Sequence, residues 1–423
     1  MNARNLQYLI PSNRKTSMAI ADSKLETKKV LEANDLPVPR FLGAIQSTAD
    51  ILNFNWQDLP ERFAVKPNSG FGGEGIIVLN KKLQDEAGEA MWRASNGEMW
   101  NIKQLQAHTL NILDGSYSLS NSPDIAFFEE KIINSQEMRE IGKYGIPDIR
   151  VIVFNRIPVM TMLRVPTVRS QGKANLAKGA IGCGIDMSLG VTTTAVVKKP
   201  RHHILEKHPD SGFDLAGFQI PHWDEILRYA IRCQDITGLG YIGVDLAIDK
   251  YSGPVILELN ARPGLEIQVA NLAPLKDRLR RVAGLKVNSE AKGISIAKDL
   301  FGGDIERRVE DVSGYKLVGA VELIKITGHD KKLTQVLARM DTGENLSVID
   351  EALANKLALP IKTQELSKLQ KKSPVVSAVI YLNGEKRETL LKVADLTKNK
   401  SKVIIGRRDL RGFLVDPSKK ESA

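Results

Sequence analysis

Apolar and polar positions divide the chain into elements. In Asp22 to Ala33 (DSKLETKKVLEA), Leu25, Val30 and Leu31 share one helical face, and Asp22 or Ser23 can cap it. A helix is predicted there, ended by Pro37 and Pro39. RFAVKP, with Lys66 near its end, reads as a strand. The glycine-rich SGFGGEG of Ser69 to Gly75 follows, and GIIVL of Gly75 to Leu79 reads as the next strand. Strand, glycine loop, strand is a β-hairpin, unlike the strand–loop–helix of a Walker or Rossmann site. Residues 81–123 are too polar to assign. IAFFEEKII, Ile125 to Ile133, has the composition of a buried strand. DIRVIVF and IPVMTMLRV flank Asn155-Arg156 and predict a second hairpin. The polar, basic stretch from Pro166 to Lys178 predicts a mobile loop. A helix is expected from Trp223 to Asp235, stopping near Gly238. YIGVDLAID and GPVILELNARPG predict a third hairpin across Lys250 to Gly253. Residues 289–314 are charged and weakly periodic, and predict a linker between domains at 1–288 and 315–423. The last segment, with short strands and many turns, is expected to be mostly β.

Length and composition bound the answer. The 423 residues are 42% hydrophobic and 26% charged, the balance of a soluble globular protein with two or three domains. No window has the ~18 uncharged apolar residues of a membrane span, and the start lacks the apolar core of a signal peptide. A cytoplasmic protein is the expectation. Cys183 and Cys233 lie in no Cys-x-x-Cys and predict neither a disulfide nor a thiolate zinc site. Charge is uneven: from Gly314 onward there are 21 basic and 13 acidic residues, a net of +8, against 39 and 37 before it. A basic surface suits nucleic acid, an anionic membrane or an acidic polypeptide. Aromatics are only 5% and do not interleave with arginines, which argues against nucleic acid.

Residues with chemical content form an ordered series. Lys66 precedes the glycine loop; then come Glu129-Glu130-Lys131-Ile132, Asp148-Ile149-Arg150, Lys173-Ala174-Asn175, Asp245 and Glu258-Leu259-Asn260. Glu258 and Asn260, two apart on a strand, share a face. Asp245, on the partner strand of the hairpin, can join them. Two carboxylates and an amide are hard oxygen ligands that suit magnesium; the alternative is a set of acids paired with basic neighbours on a solvated sheet face. His202, His203 and His208 lack common zinc spacing and read as loop residues. His108, His222 and His329 are isolated and support no site.

From about Ala3 to Leu279 the chain resembles the α-L-glutamate ligase-like ATP-grasp proteins, relatives of the ribosomal-protein glutamate ligase. The carriers are NARN, DSKLETK, LPVPR, VKPNSGFGGEGI, PDIRVIVF, KANLAKGAIG, GLGYIGVD and LELNARPGLEIQ. The resemblance implies an α+β ATP-grasp domain using ATP and magnesium, two ions being expected and manganese an alternative. By position, Ser69, Gly70, Gly72, Gly73 and Gly75 would lie over the triphosphate, with Lys66 and Lys24 as nucleotide contacts. Lys24 as a solvated helix charge is the alternative. Glu129, Glu130, Lys131 and Ile132 match the adenine hinge, and Asp148 the ribose-binding acid. Arg150 and Arg164 would point into the substrate site. Lys173 and Asn175 match an Arg-x-Asn near phosphate and the reacting carboxylate. Asp245, Glu258 and Asn260 match the magnesium ligands, and Arg262 is a candidate anion holder. The implied chemistry is carboxylate–amine ligation through an acylphosphate, adding glutamate or a similar amino acid to an acidic peptide or protein. Two departures stand out. Ala177-Lys178-Gly179-Ala180 replaces the ligase's His-Arg-Gly-Gly, which leaves the acceptor open. Only about twenty residues precede Lys24 in place of the usual Rossmann-like domain, so something else is expected to cover that side, a second subunit being the candidate.

From Tyr315 the chain resembles a single-lobe aspartic protease of the retropepsin type, closest to the so-called ATP-dependent zinc proteases. The carriers are VLARMDTGENLSVID and VIIGRRDLRGFLVDPS. Asp341, Thr342 and Gly343 would then be the catalytic tripeptide. Sharing one proton between two carboxylates needs two chains, so a homodimer is expected if the domain is active. Glu344 stands where a small residue is usual, and no zinc ligands are recognisable. The alternatives to a ligase with a peptidase-like appendage are a nucleotide-sensing scaffold and a protease with a non-catalytic ATP-grasp domain.

Overall fold

The computed structural model describes residues 4–302 and 316–416, except 71, 87, 119–120, 199–202, 331 and 366–371. His202 and the second half of the expected linker, from residue 303, lie outside the described residues. The chain divides into two units, Met1–Gly303 and Asp304–Ala423.

The first unit contains two antiparallel sheets. In the first, β1 (Phe41–Ile45), β2 (Phe63–Pro67), β3 (Ile77–Gln84), β4 (Ala90–Ala94), β5 (Met99–Asn101) and β6 (Ala126–Glu130) take the order β1-β6-β2-β3-β4-β5. Its core is aromatic: Phe63, Trp92 and Phe128 are fully buried, and Phe54 stacks on Phe128 at 4.8 Å. The unassigned stretch 81–123 holds β4, β5 and the helix Ile102–Leu113. That helix starts at a capping box in which Asn101 and Gln104 satisfy each other's backbone N–H.

The second sheet has the order β11-β10-β9-β8-β7-β12-β13, from β7 (Asp148–Phe154), β8 (Ile157–Val165), β9 (Ile181–Ile185), β10 (Thr192–Val197), β11 (His203–Leu205), β12 (Tyr241–Asp249) and β13 (Gly253–Asn260). Asn155 (φ 53°) and Arg156 (φ 60°) are both left-handed, the two-residue turn that lets β7 and β8 keep their twist. The helix Trp223–Thr237 ends at Gly238 in the left-handed conformation and packs on β7 and β12. Residues 289–302 are not linker: Ser289 caps a helix, Glu290–Phe301, whose Ala297 and Phe301 are buried in this core. Residues 5–22 also belong to it. Asn13 donates to the carbonyls of Tyr241 (2.8 Å) and Ala261 (3.2 Å) and accepts from the Tyr241 N–H (2.9 Å). The helix Lys15–Asp22 packs against β13.

The second unit is a β-barrel. Its strands are β14 (Lys316–Gly319), β15 (Val321–Thr327), β16 (Leu333–Asp341), β17 (Val348–Asp350), β18 (Lys362–Glu365), β19 (Lys372–Leu382), β20 (Glu385–Ala394), β21 (Val403–Gly406) and β22 (Phe413–Asp416). The sheet β15-β16-β21-β17-β20-β19-β18 closes on itself through β15–β19 pairing. Inward residues such as Ile324, Ile326, Ala338, Ile380, Leu391 and Ile405 fill its own core.

Candidate active site

A cavity of about 1860 Å³ opens between the two sheets of the first unit. Its walls carry Lys24, Lys66, Ser69, Gly70, Gly72, Gly73, the hinge Glu129–Ile132, Asp148, Arg150, Arg164, Lys173, Asn175, Asp245, Glu258, Asn260 and Arg262. Of the candidate nucleotide, substrate and metal residues in this half of the chain, Gly75 alone is not on the wall.

The glycine loop links β2 to β3, whose pairing of Val65 with Ile77 makes the expected hairpin. Gly72, Gly73 and Gly75 have φ of 62°, 76° and 69°, conformations that a side chain would strain. Asp124 accepts the Ser69 N–H with both carboxylate oxygens, at 3.1 and 2.9 Å. Lys24 Nζ donates to the carbonyls of Asn68 (3.2 Å) and Gly70 (3.0 Å). Lys24 is thus no solvated helix charge, and burial draws its pKa below the usual lysine value.

The predicted apolar face of its helix needs correction. Ser23 caps Lys24–Glu32 and Leu31 is fully buried, but Lys28 is buried too. The reason is Glu129 on β6, which lies between two ammonium groups, Lys28 at 3.1 Å and Lys66 in a short ion pair. Burial pushes the Glu129 carboxyl up, but Lys66 and Lys28 outweigh it and hold the group below the usual carboxylate range.

The floor is an ion network set by strand register. Arg150, Asp245 and Glu258 are cross-strand neighbours on β7, β12 and β13; Asp148 and Arg164 face each other on β7 and β8. Arg150 binds Asp245 in a fork, Nε to Oδ1 at 2.7 Å and Nη2 to Oδ2 at 2.6 Å. Arg164 Nη2 donates to Asp245 Oδ2 and Asp148 Oδ2, both at 2.7 Å, and its Nε makes a short bond to Asp148. The Asp148 carboxyl, expected at a ribose, is therefore directed at Arg164. Burial raises its pKa. For Asp245 burial is outweighed by Arg150 and Arg164, which hold it ionised. Asn260 Nδ2 reaches Asp245 Oδ2 (3.3 Å) and Glu258 Oε1 (3.4 Å). Among the described residues no lysine or arginine pairs with Glu258.

The loop 166–178 is hydrogen-bonded throughout, contrary to the mobile segment its polarity predicts. Thr167 and Ser170 are buried and bond each other, and the Val168 N–H donates to Asp210. Asn175 Nδ2 approaches the Gly72 carbonyl at 3.5 Å, and Lys178 pairs with Glu74 of the glycine loop. The departure Ala177-Lys178 thus ties two loops together. Arg262 pairs with Asp22 at 2.9 Å on the exposed rim.

Sequence reasoning missed Asn68 and Asp124 as supports of the glycine loop and Lys28 as a partner of Glu129, and misread one histidine. His203 lies in a short strand, β11, and not in a loop. His208 does lie in a loop; it is buried there, accepts the Asp210 N–H at Nδ1 (3.1 Å), and through Nε2 meets the Pro166 carbonyl (3.0 Å). The one local signal was the Lys24/Lys28 spacing on one helical face.

In the second unit Asp341 ends β16 opposite Gly406 of β21. Its Oδ1 accepts from the N–H groups of Gly343 (3.0 Å) and Glu344 (3.3 Å), and its Oδ2 pairs with Arg339 at 3.1 Å. Thr342 and Gly343 are exposed in the turn. Behind it, Ser347 Oγ donates to the buried Asp409 (2.5 Å) and accepts the Gly406 N–H (3.0 Å).

No curated protein matches the chain. Among solved structures, the ATP-grasp ligase PsnB in complex with a minimal precursor is 15% identical, with 64% of this chain and 62% of that one covered and a TM-score of 0.34. Biotin carboxylase from Campylobacter jejuni is 15% identical over 66% and 49%, with a TM-score of 0.40. D-alanine–D-alanine ligase from Bacillus anthracis is 13% identical over 71% of each chain, with a TM-score of 0.32. The chain thus spans about three fifths of the first of these and about half of the second. Residues 3–284, two thirds of the sequence, match the family model described as sugar-transfer associated ATP-grasp, and the chain belongs to that ATP-grasp family.

Proposed function

We propose that this protein is an ATP- and magnesium-dependent carboxylate–amine ligase. The observation that carries the reading is the charge layout of one cavity. Lys24, Lys66 and Lys173 stand on the glycine-loop side, and Glu258, in no ion pair with a lysine or arginine among the described residues, stands with Asn260 on the floor.

Magnesium is compatible with this donor set. Among the described residues no three His, Cys, Asp or Glu side chains surround a common point. Magnesium, however, takes one or two carboxylates and leaves other positions to phosphate and water. Glu258 and Asn260 would hold it, and Asp245 would join only by giving up donors from Arg150 and Arg164. Bound there, the ion would neutralise phosphate charge.

The reaction we propose runs in two steps. A substrate carboxylate oxygen attacks the γ-phosphorus of ATP; the bond to the β-phosphate oxygen breaks, leaving an acylphosphate and ADP. An amine then attacks the acyl carbon, phosphate leaves, and the nitrogen loses a proton. Lys24 and Lys66 would hold the phosphates, Arg150 and Arg164 the substrate carboxylate, and the loop carrying Lys173 and Asn175 would shield the site from water. The hinge Glu130–Ile132 would take the adenine. We propose glutamate or a similar amino acid as one substrate and an acidic peptide or protein as the other, supported by the basic balance of the C-terminal residues.

For the barrel we propose binding of the product over its cleavage. Arg339 already occupies the Asp341 carboxylate, and a shared-proton pair would have to displace it and recruit a second copy of the chain.

The test is ADP release with ATP, magnesium and a panel of amino acids and acidic peptides, scored by mass shift beside Glu258→Ala. ADP release tied to a residue-sized mass gain, lost in the variant, supports the ligase. Tight ATP binding without turnover would favour a nucleotide-sensing scaffold, and no ATP binding would remove the reading. Cleavage of the same peptides, lost in Asp341→Asn, would overturn the binding role of the barrel.

A further inference from the structure

The glycine loop is held at both ends, and its exit is held by His108 and Tyr117, which line no part of the cavity. At the entry, Asp124 and Lys24 take backbone groups of Asn68, Ser69 and Gly70. At the exit, the Gly75 carbonyl meets His108 Nε2 at 2.9 Å. His108 comes from the helix Ile102–Leu113 and is 8% exposed. Its Nδ1 lies 3.3 Å from the Tyr117 hydroxyl. A carbonyl only accepts, so Nε2 carries the proton, and Nδ1 accepts from Tyr117: a neutral imidazole with both nitrogens used. Trp100 packs edge-on at 5.7 Å, and a Cβ on Gly75 would stand 2.5 Å from the Tyr117 ring. The three side chains and the Gly75 backbone form one block behind the loop.

Peptide geometry gives this block a consequence. The Gly75 carbonyl and the Ile76 N–H share one planar trans unit and point in opposite directions. Holding the carbonyl toward His108 aims the Ile76 N–H away from it, and Ile76 lines the cavity. Without the imidazole the partly buried carbonyl loses its donor, and the unit is free to rotate about ψ of Gly75 and φ of Ile76, just ahead of β3.

We propose that His108, braced by Tyr117, is a positioning residue that fixes the exit of the glycine loop and thereby the affinity of the cavity for a nucleoside polyphosphate. The affinity half rests on the ligase reading; the loop half does not. His108 touches no reacting group. It acts through the orientation of one peptide unit.

The experiment compares wild type, His108→Leu, His108→Gln and Tyr117→Phe. Two readouts are taken: amide hydrogen exchange of residues 72–76 without nucleotide, and the dissociation constant of Mg-ADP. A melting curve checks that each variant folds. His108→Leu is expected to speed exchange in 72–76 and to weaken ADP binding, each about tenfold, the effect of one hydrogen bond. In His108→Gln the side-chain amide can reach the Nε2 position, and both values return to within about threefold of wild type. Wild-type exchange in His108→Leu, or equal damage in His108→Gln, overturns the proposal, since shape and not the donor would then matter. If His108→Leu does not fold, Tyr117→Phe decides: exchange at least twofold faster supports the brace, and unchanged exchange overturns it. A wild type that binds no ADP would sink the ligase reading, while the exchange comparison would still decide the role of His108.

Discussion

Single residues in the first unit are held by partners far away in sequence, and substitutions should report this. Asp245 is fully buried and satisfies two guanidinium groups. Asp245→Ala leaves both charges buried without it and is expected to cost about 3–5 kcal/mol, read by urea unfolding. Glu258 lacks such partners, so Glu258→Gln should leave stability within about 1 kcal/mol while lowering ADP release at least about a hundredfold. Glu129 gives a pH signature. Its folded carboxyl lies below the usual range, so the unfolded chain takes up the proton first as pH falls. The stabilisation is then present above about pH 4.5 and is lost as pH drops below it. Unfolding of wild type and Glu129→Gln should differ most near neutrality and converge toward pH 3. A constant difference would remove the ion pair as its cause.

At the scale of elements, the site depends on how closely helices and loops approach the two sheets. The helix Glu290–Phe301 meets the β7–β8 turn at Gly293, where an added Cβ would collide with the Arg156 carbonyl. Gly293→Ala is therefore expected to lift that helix end and cost about 1–3 kcal/mol in a denaturation experiment, despite alanine's better helix propensity. A neutral or stabilising result would mean that the helix shifts freely. The loop carrying Lys173 and Asn175 is anchored in two directions, to the glycine loop through Asn175 and Lys178 and to the Asp210 turn through Val168. Its polarity suggested mobility because polar side chains read alike whether they face water or bond one another.

At the scale of the whole molecule, two units with separate cores should unfold separately. Residues 1–302 expressed alone are expected to fold and to keep the nucleotide affinity of the full chain within about threefold, measured by calorimetry, and the full chain should show two unfolding transitions. Loss of binding in the shorter chain would give the barrel a part in the site. Hairpins, the glycine loop, the helix Trp223–Thr237 and the acid–amide pair Glu258 and Asn260 were legible along the sequence. Turn residues, strand alternation and helix stops act over a few positions and need no distant partner. The helix Ile102–Leu113 was legible only by its capping residues, in a stretch whose polarity hid it. Which charge meets which was not legible. Arg150 with Asp245, Lys28 with Glu129 and His108 with Gly75 join residues 95, 101 and 33 positions apart. Those pairings depend on sheet register and on which helix covers which face. By itself the sequence determined the local elements and the kinds of chemical group available. Tertiary structure alone decided their partners, because burial makes an unpaired charge or carbonyl costly and selects the arrangement in which each finds one.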